Sequence, residues 1–284
     1  MEDKKTLDII VLYSSGHLGS ALVMNKLLSM PEFNIVGVIK ARPLKISFKE
    51  RSKLRKHLKN IGWQFAWLLL WQRAIQGIGF FITALLPFLR KRLQAAWKIA
   101  EDNNIPVFYC NNINDQECLN FIKEQNPDLL VSAYFSQILK KDIIQAPKIG
   151  VLNIHPGLLP SYKGAMAYFW VLKNETNKAG VTVHWIDEGI DTGDILARRS
   201  FTIHQKSTQD TVLLFTAIIG AKLLQRIAKK LIANEKLEII KINAQEDNTY
   251  YSMPKEKDFD EYFKKRRFFR IRNILGIIFK RKGN

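Results

Sequence analysis

Two polar residues interrupt an apolar, strand-like stretch in residues 151–164, which read VLNIHPGLLPSYKG. Asn153 and His155 are two positions apart, so in a strand both side chains point to the same side. An amide that donates hydrogen bonds and an imidazole that titrates near neutral pH can then act on one bound atom. Because the prolines and glycine at 156–160 cannot continue a strand, we predict that the pair stands at an open strand end.

A second polar motif, DEGIDTGDI at 187–195, forms an acidic turn between two strand-like segments. Its carboxylates are candidates for a third member of the site, because a carboxylate can orient an imidazole and favour its charged form. The cysteines offer no comparable chemistry. Cys110 and Cys118 match no zinc pattern and provide no disulfide framework, so the sequence predicts no metal site.

The elements that must position these motifs alternate between strands and helices. Apolar runs predict strands, and amphipathic runs predict helices, at the following residues: strands 7–13, 34–40, 105–110, 128–134 and 150–155, and helices 17–30, 93–104 and 115–126. This alternation is typical of βαβ units and predicts an α/β fold, a Rossmann-like parallel sheet with flanking helices. Ligands bind beyond the carboxyl ends of such strands, which is where Asn153 and His155 fall.

The pattern changes after residue 164. Segments 180–187 and 193–203 alternate like strands that pair with each other. A long amphipathic helix follows at 208–234, with a cap at Ser207 or Thr208, and residues 236–242 are predicted to form a last strand.

The motifs LNIHPGLLPSYKG and GVTVHWIDEGIDTGDIL together resemble the signature of formyltransferases that use N10-formyltetrahydrofolate. That family includes glycinamide ribonucleotide, methionyl-tRNA and amino-sugar formyltransferases. The resemblance covers about residues 7–40 and 92–203, and it implies that Asn153, His155 and Asp191 are catalytic.

The implied chemistry suits these side chains. Formyl transfer to an amine passes through a tetrahedral intermediate whose oxygen becomes negative, and a donor such as Asn153 is worth about 3 to 4 kcal/mol there. His155 would take the proton of the attacking amine or stabilise the oxyanion as imidazolium. Asp191 would orient the imidazole and could hold a water that relays the proton.

The resemblance also implies where the substrates bind. N10-formyltetrahydrofolate would lie between two segments that enclose the pterin mainly through main-chain groups: Tyr134, Phe135, Ser136, Gln137, Ile138 and Leu139, and Ile186, Asp187, Glu188, Gly189 and Ile190. Tyr134 and Phe135 could instead belong to the core. We assign four residues to binding of the acceptor: Ser15, Gly16, Lys163 and Gly164. The turn at 14–20 lacks a complete G-x-G-x-x-G, and a plain strand-to-helix turn is the simpler interpretation.

Three acceptors compete. Methionyl-tRNA formyltransferases carry a C-terminal β-barrel, for which the stretch after Ile203 is expected to be too short. Glycinamide ribonucleotide formyltransferases hold a phosphate at a loop after the first strand that contains Asn, and residues 14–20 contain none. The sequence therefore favours an amino-sugar acceptor, as a sugar nucleotide or a lipid-linked sugar, in the synthesis of surface glycans such as lipopolysaccharide. Glycinamide ribonucleotide is the second choice.

The formal net charge of +18 is concentrated in two segments. Residues 40–98 hold 14 basic and 1 acidic residue, and residues 255–284 hold 11 basic and 4 acidic ones. Within the first segment, Arg73 is the only charged residue of 61–89, and tryptophan recurs at every fourth position over one stretch. Because Arg73 divides the run, an interfacial helical hairpin on anionic lipid is favoured over a single membrane span.

We therefore predict a catalytic domain over 1–250 that is interrupted by the helical insert 44–91, and a basic amphipathic tail over 251–284. Residues 49–92 and 263–284 are predicted to bind an anionic membrane surface. Packing of insert on tail, or a homodimer interface, is the alternative, and the apolar run FAWLLLW argues against nucleic acid. Since the N-terminus lacks the features of a secretory signal, the protein is expected in the cytoplasm, peripherally on the inner face of the membrane.

Overall fold

A computed structural model describes residues 6–14, 17–41, 67, 70–71, 74, 96–243 and 245–265. The strands are β1 Leu7–Ser14, β2 Phe33–Ala41, β3 Val107–Cys110, β4 Leu129–Ala133, β5 Gly150–His155, β6 Lys163–Gly164, β7 Lys178–Trp185, β8 Ile195–Thr202 and β9 Tyr250–Tyr251. The helices are α1 Leu18–Leu27, α2 Ala96–Asp102, α3 Gln116–Gln125, α4 Lys141–Ile144, α5 Ala167–Lys173, α6 Gln209–Ile232 and α7 Glu256–Lys265.

Several predictions fall outside the described residues. Ser15 and Gly16 lie outside them, as do nearly all of the insert 44–91 and all but the first three residues of the segment 263–284. Their assignments to acceptor and membrane binding stay predictions.

The main sheet has seven strands in the order β3-β2-β1-β4-β5-β7-β8. The five strands from β3 to β5 are parallel, β7 runs antiparallel to β5, and β8 runs antiparallel to β7. The predicted α/β fold with a Rossmann-like sheet is thereby confirmed, and so is the pairing of the two segments after residue 164. A short parallel ladder of β6 and β9 lies apart from this sheet.

Helices cover both faces of the sheet, which explains why its central strands are continuously apolar rather than alternating. On one face, a large buried cluster that includes Tyr13, Met24 and Phe169 is covered by α1, α5, α6 and α7. On the other, a smaller cluster that includes Ile10 and Ile122 is covered by α3 and α4. With both faces of β5 buried, only its end is open to a ligand.

Helix α6 packs against β5. It begins with a capping box between Thr208 and Thr211, in agreement with the predicted cap. A β-carbon on Gly220 would collide with Ile154 of β5, so the glycine allows a close approach of helix and strand. Helix α6 is long and apolar enough to span a membrane by length and composition, but most of that apolar stretch is buried in the protein.

The C-terminal part of the described chain differs from the prediction at residues 236–242, which do not form a strand. A backbone hydrogen bond of 2.8 Å joins Ile240 N to the carbonyl of Ile195, and Leu237 packs against the large core cluster, but Ile239 and Ile242 are exposed, so the apolar side chains do not share one buried face. Further along, Phe259 and Tyr262 of α7 are buried against Phe169 of α5. The predicted domain boundary at residue 251 stays a prediction.

Candidate active site

Asn153 and His155 lie at the end of β5, where the antiparallel register places His184 of β7 opposite Asn153 and Thr182 opposite His155. Directly opposite residues in an antiparallel pair project on the same face. The Thr182 hydroxyl donates to the carbonyl of Gly157 at 2.7 Å and thereby holds the turn that follows the strand. The chain leaves the sheet immediately after His155, as predicted.

The imidazole of His155 is buried between two partners. Its Nε2 lies 2.8 Å from the carbonyl oxygen of Tyr162, and its Nδ1 lies 3.4 Å from Asp191 Oδ2. Because a carbonyl only accepts, we assign the Nε2 proton to that bond, which leaves Nδ1 as the atom that gains and loses a proton. Burial lowers the pKa of His155 below its ordinary value, although the Asp191 carboxylate acts in the opposite direction.

Asp191 is held by three groups. Its Oδ2 accepts a hydrogen bond of 2.8 Å from the backbone N–H of Gly164 and faces His155, while Oδ1 lies 3.6 Å from Nε2 of His184. Burial alone would raise the pKa of Asp191, but His155 and the Gly164 N–H oppose it, and the pKa is lowered to about 2. The side chain is therefore a carboxylate at any physiological pH.

His184 is a member of the site that the sequence analysis leaves unassigned. It is 2% exposed, and its Nδ1 lies 2.7 Å from the carbonyl oxygen of Trp185, so Nδ1 carries the proton. Its Nε2 then accepts a hydrogen bond of 3.1 Å from Nδ2 of Asn153. This bond turns the amide nitrogen of Asn153 inward and leaves its second N–H for a bound oxygen. The only sequence signal is the two-residue spacing of Thr182 and His184.

The backbone groups that hold His155 and Asp191 are themselves held by the C-terminal strap, which we define as residues 245–252. The carbonyl oxygen of Thr249 accepts a hydrogen bond of 2.9 Å from the backbone N–H of Lys163. The hydroxyl oxygen of Thr249 accepts another, also of 2.9 Å, from the backbone N–H of Tyr162. These bonds fix Tyr162, whose φ of 60° is left-handed, with its carbonyl towards His155.

A second attachment of the C-terminal strap lies near the turn after β5. Arg198 of β8 forms a bidentate ion pair with Glu246 of the strap. It also donates a hydrogen bond of 3.0 Å to the carbonyl oxygen of Leu159. Through this pair the strap, the turn after β5 and the edge strand β8 are joined. The C-terminal strap is thus part of the framework of the site.

The two segments assigned to the pterin are anchored on the same side of the sheet. Phe135 and Ile186 both pack against the smaller core cluster. The hydroxyl oxygen of Ser14 accepts from the N–H of Ser136 at 3.0 Å, at the point where the strand order reverses between β1 and β4. Gln137 braces the loop, because its Oε1 accepts from the N–H of Ile113 at 2.6 Å.

The remaining residues of those segments divide into buried and exposed ones. Leu139 is buried, Ile138 and Ile190 are 63% and 42% exposed, and Glu188 and Gly189 lie in the exposed turn. Asp187 shapes that turn, since its Oδ1 accepts from the N–H of Gly189 at 3.1 Å.

The side chain of Tyr134 belongs to the core. Its ring stacks on His17 at 4.8 Å between centroids, and its hydroxyl lies 2.7 Å from Thr216 Oγ1 of α6. His17, which the sequence analysis leaves unassigned, caps α1 by accepting from the N–H of Gly19, and burial lowers its pKa to about 4. The Tyr134 side chain is thus held by contacts with α1 and α6, in agreement with the alternative that it belongs to the core.

The arrangement supplies an amide donor, a buried base and a carboxylate at one open strand end. Such a group can polarise a carbonyl oxygen and accept a proton from an attacking nucleophile. Among the residues that the structure describes, no group of three or more His, Cys, Asp or Glu side chains could hold a metal ion.

Comparison with known proteins gives a consistent result. Residues 89–227 match the sequence profile of a family described as formyl transferase. A methionyl-tRNA formyltransferase of Clostridioides difficile (strain 630) is 41% identical over 111 residues, which are 39% of this chain and 36% of that protein. The bifunctional polymyxin resistance protein ArnA of Wigglesworthia glossinidia brevipalpis is 34% identical over 164 residues, 58% of this chain and 23% of that protein. The chain leaves more than half of each relative uncovered.

Two solved structures share the fold. Phosphoribosylglycinamide formyltransferase from Anaplasma phagocytophilum has a TM-score of 0.57 at 18% identity, over 87% of this chain and 99% of that chain. An N-formyltransferase from Helicobacter canadensis, in complex with folinic acid and dTDP-3-aminofucose, has a TM-score of 0.52 at 18% identity, over 89% and 72%.

Proposed function

Residues 89–227 belong to the formyl transferase family, as the motifs predict, and from this premise we propose that the protein transfers the formyl group of N10-formyltetrahydrofolate to the amine of an amino sugar. The observation that carries the proposal is the contact of His155 Nδ1 with the Asp191 carboxylate beside Asn153. A buried base, its carboxylate partner and an amide donor are the groups that acyl transfer to an amine requires.

In the proposed reaction, Asn153, His155 and Asp191 each have one role. The acceptor amine attacks the formyl carbon, a C–N bond forms, and the carbonyl oxygen takes the negative charge opposite the free N–H of Asn153. His155 takes the amine proton at Nδ1, where Asp191 stabilises the imidazolium. When the bond from the formyl carbon to N10 breaks, the proton passes to N10 of the folate.

The folate position rests on the two segments at 134–139 and 186–190. Their exposed apolar side chains, Ile138 and Ile190, suit a flat ring, and the backbone between them offers donors and acceptors. The Helicobacter canadensis enzyme of the same fold was solved with folinic acid, which supports a folate co-substrate in this fold.

An amino-sugar acceptor, in surface glycan synthesis, is supported by the same structure, which contains dTDP-3-aminofucose. Glycinamide ribonucleotide is the specific alternative, because the structural match to the phosphoribosylglycinamide formyltransferase extends over 99% of that enzyme's chain. Methionyl-tRNA is a third, since a methionyl-tRNA formyltransferase is 41% identical over the matched residues. On composition alone, we place the protein in the cytoplasm, on the inner membrane face through residues 49–92 and 263–284.

A mass-spectrometric screen for formyl gain tests the proposal. Purified protein and N10-formyltetrahydrofolate are incubated with amino-sugar nucleotides, lipid-linked amino sugars, glycinamide ribonucleotide and methionyl-tRNA, with Asn153→Ala as the inactive control. We expect a mass increase of one formyl group on an amino sugar. Formyl gain on glycinamide ribonucleotide or methionyl-tRNA alone would refute the amino-sugar assignment, and no gain on any amine would refute formyl transfer.

A further inference from the structure

An exposed aromatic ring lies beside the proposed reaction centre. Tyr250, in β9 of the C-terminal strap, is 59% exposed. Its ring lies against Gly164, because a β-carbon built on that glycine would be 2.8 Å from Cε2 of Tyr250. The N–H of Gly164 is the group that donates to Asp191. The ring is therefore separated from the catalytic carboxylate by one glycine.

The neighbouring Tyr251 shows what a structural tyrosine looks like at this place. Its ring is stacked between Tyr162 and Trp170, with centroids 5.3 Å and 4.8 Å away. Its hydroxyl accepts a hydrogen bond of 2.8 Å from Asn174. Tyr251 thus anchors the strap, whereas Tyr250 has an open face and no ring or hydrogen-bond partner for its side chain within the described residues.

A cation completes the surface. Lys163 is the register partner of Tyr250 in the ladder of β6 and β9, so the two residues are direct neighbours. No carboxylate of the described residues pairs with its ammonium group, and Lys163 is half-buried. An open aromatic face beside an unpaired ammonium group suits a ligand that has both a flat or apolar ring face and a phosphate.

We propose that Tyr250, together with Lys163, forms the acceptor subsite, in which the aromatic ring packs on a ring of a diphosphate-linked amino sugar and the ammonium group binds its phosphate. The inference rests on the proposed function, since it places the acceptor beside Asp191. It names Tyr250 as a specificity-determining residue, and it does not depend on whether the diphosphate is joined to a nucleoside or to a lipid.

The test compares steady-state kinetics of Tyr250→Ala, Tyr250→Phe and Lys163→Met with the wild type, on dTDP-linked 3-amino sugar, lipid-diphosphate-linked amino sugar and the unphosphorylated amino sugar. Tyr109→Ala is the matched control, because Tyr109 is an exposed tyrosine on β3, away from β5 and the strap. Loss of an aromatic stacking partner is worth about 1–3 kcal/mol, so Tyr250→Ala should raise the acceptor KM about fivefold or more. The KM for the folate should not change.

Two of these variants distinguish a loss of acceptor binding from a loss of folding. Tyr250→Phe keeps the ring face and should restore most of the affinity, and Lys163→Met should raise KM only for the phosphorylated acceptors. The diphosphate acceptor with the higher kcat/KM shows whether the diphosphate is joined to a nucleoside or to a lipid. If the wild type formylates an amino sugar but Tyr250→Ala keeps its KM, the subsite is wrong while the proposed function stands. If the wild type formylates no amino sugar, the proposed function fails and the subsite, which rests on it, fails with it.

Discussion

At the scale of single residues, the charges of the site are set by burial and by close neighbours. Asp191 remains ionised because His155 and the backbone N–H of Gly164 favour its carboxylate, and its pKa is lowered to about 2. His155 is shifted the other way, since burial favours its neutral form. A neutral imidazole beside a carboxylate is ready to accept a proton at neutral pH.

This balance predicts a pH dependence. As the pH falls, His155 becomes protonated and kcat/KM should decrease, with an acid limb below the ordinary histidine value of about 6.5 because its pKa is lowered. In Asp191→Asn, the group that raises the pKa of His155 is lost, so the acid limb should move to still lower pH while kcat decreases about a hundredfold or more. Rates across the pH range measure both effects. An unchanged acid limb in the variant would contradict the pairing.

The role of His184 can be tested separately. His184→Ala removes the acceptor that holds the Asn153 amide, and we expect kcat to decrease about tenfold or more with little change in the folate KM. His184→Gln offers another acceptor and should keep more activity. His204→Ala, at an exposed histidine in the loop before α6, is the control. Wild-type kcat in His184→Ala would show that Asn153 needs no support.

The sequence predicts part of this site and misses part for a physical reason. Asn153 and His155 stand out because they are two positions apart in one motif, and Asp191 is found through the acidic turn. His184 and Asn153 are 31 residues apart in the sequence, and their contact depends on the antiparallel register of β7 on β5. A two-residue spacing alone does not show which strand lies opposite.

At the scale of elements, the ladder of β6 and β9 determines the position of the catalytic groups. Gly164 has φ +93°, and a β-carbon there would collide with the carbonyl oxygen of Tyr251. The glycine therefore permits both the pairing with the C-terminal strap and the hydrogen bond to Asp191.

Gly164→Ala should accordingly decrease kcat about tenfold or more and destabilise the fold by about 1–3 kcal/mol. Activity assays and thermal unfolding measure the two effects. Gly37→Ala in β2 is the control, because the added carbon would meet side-chain atoms, the far end of the Phe121 ring and Ile10 Cγ1, and no backbone atom is among its nearest neighbours. Full activity in Gly164→Ala would mean that the ladder does not position Asp191.

The elements differ in how well they can be predicted. The parallel strands and α6 have long, regular patterns, and these predictions are confirmed. The strand predicted at 236–242 is wrong, because Leu237 packs against the core while Ile239 and Ile242 are exposed. The two-residue strands β6 and β9 are too short to carry a periodic signal. Such short contacts form only when distant parts of the chain meet.

At the scale of the whole molecule, the excess of basic residues lies in two segments of the sequence, 40–98 and 255–284. Residues 99–254 hold 16 basic and 17 acidic residues, so the net charge of +18 does not arise around the site. A body near neutrality with basic, apolar-rich appendages is typical of binding to anionic surfaces.

Flotation with vesicles tests this prediction. The protein should float with anionic vesicles at low salt, less as salt rises, and little with neutral vesicles. Arg270→Glu together with Arg272→Glu should weaken flotation, whereas Lys140→Glu with Lys141→Glu, at exposed positions of the body, should not. Undiminished flotation of the tail variant, or equal binding to neutral vesicles, would contradict a charge-driven contact.

The attachment of the C-terminal strap to Tyr162 and Gly164 has a consequence for protein synthesis. The ribosome delivers His155 and Asp191 long before Thr249 and Tyr251, which hold the loop beside them. A nascent chain can complete all seven strands of the main sheet while its catalytic groups still lack these supports. A chain truncated before the strap is therefore expected to form the sheet but to lack the hydrogen bonds that hold Tyr162 and Gly164 beside His155 and Asp191.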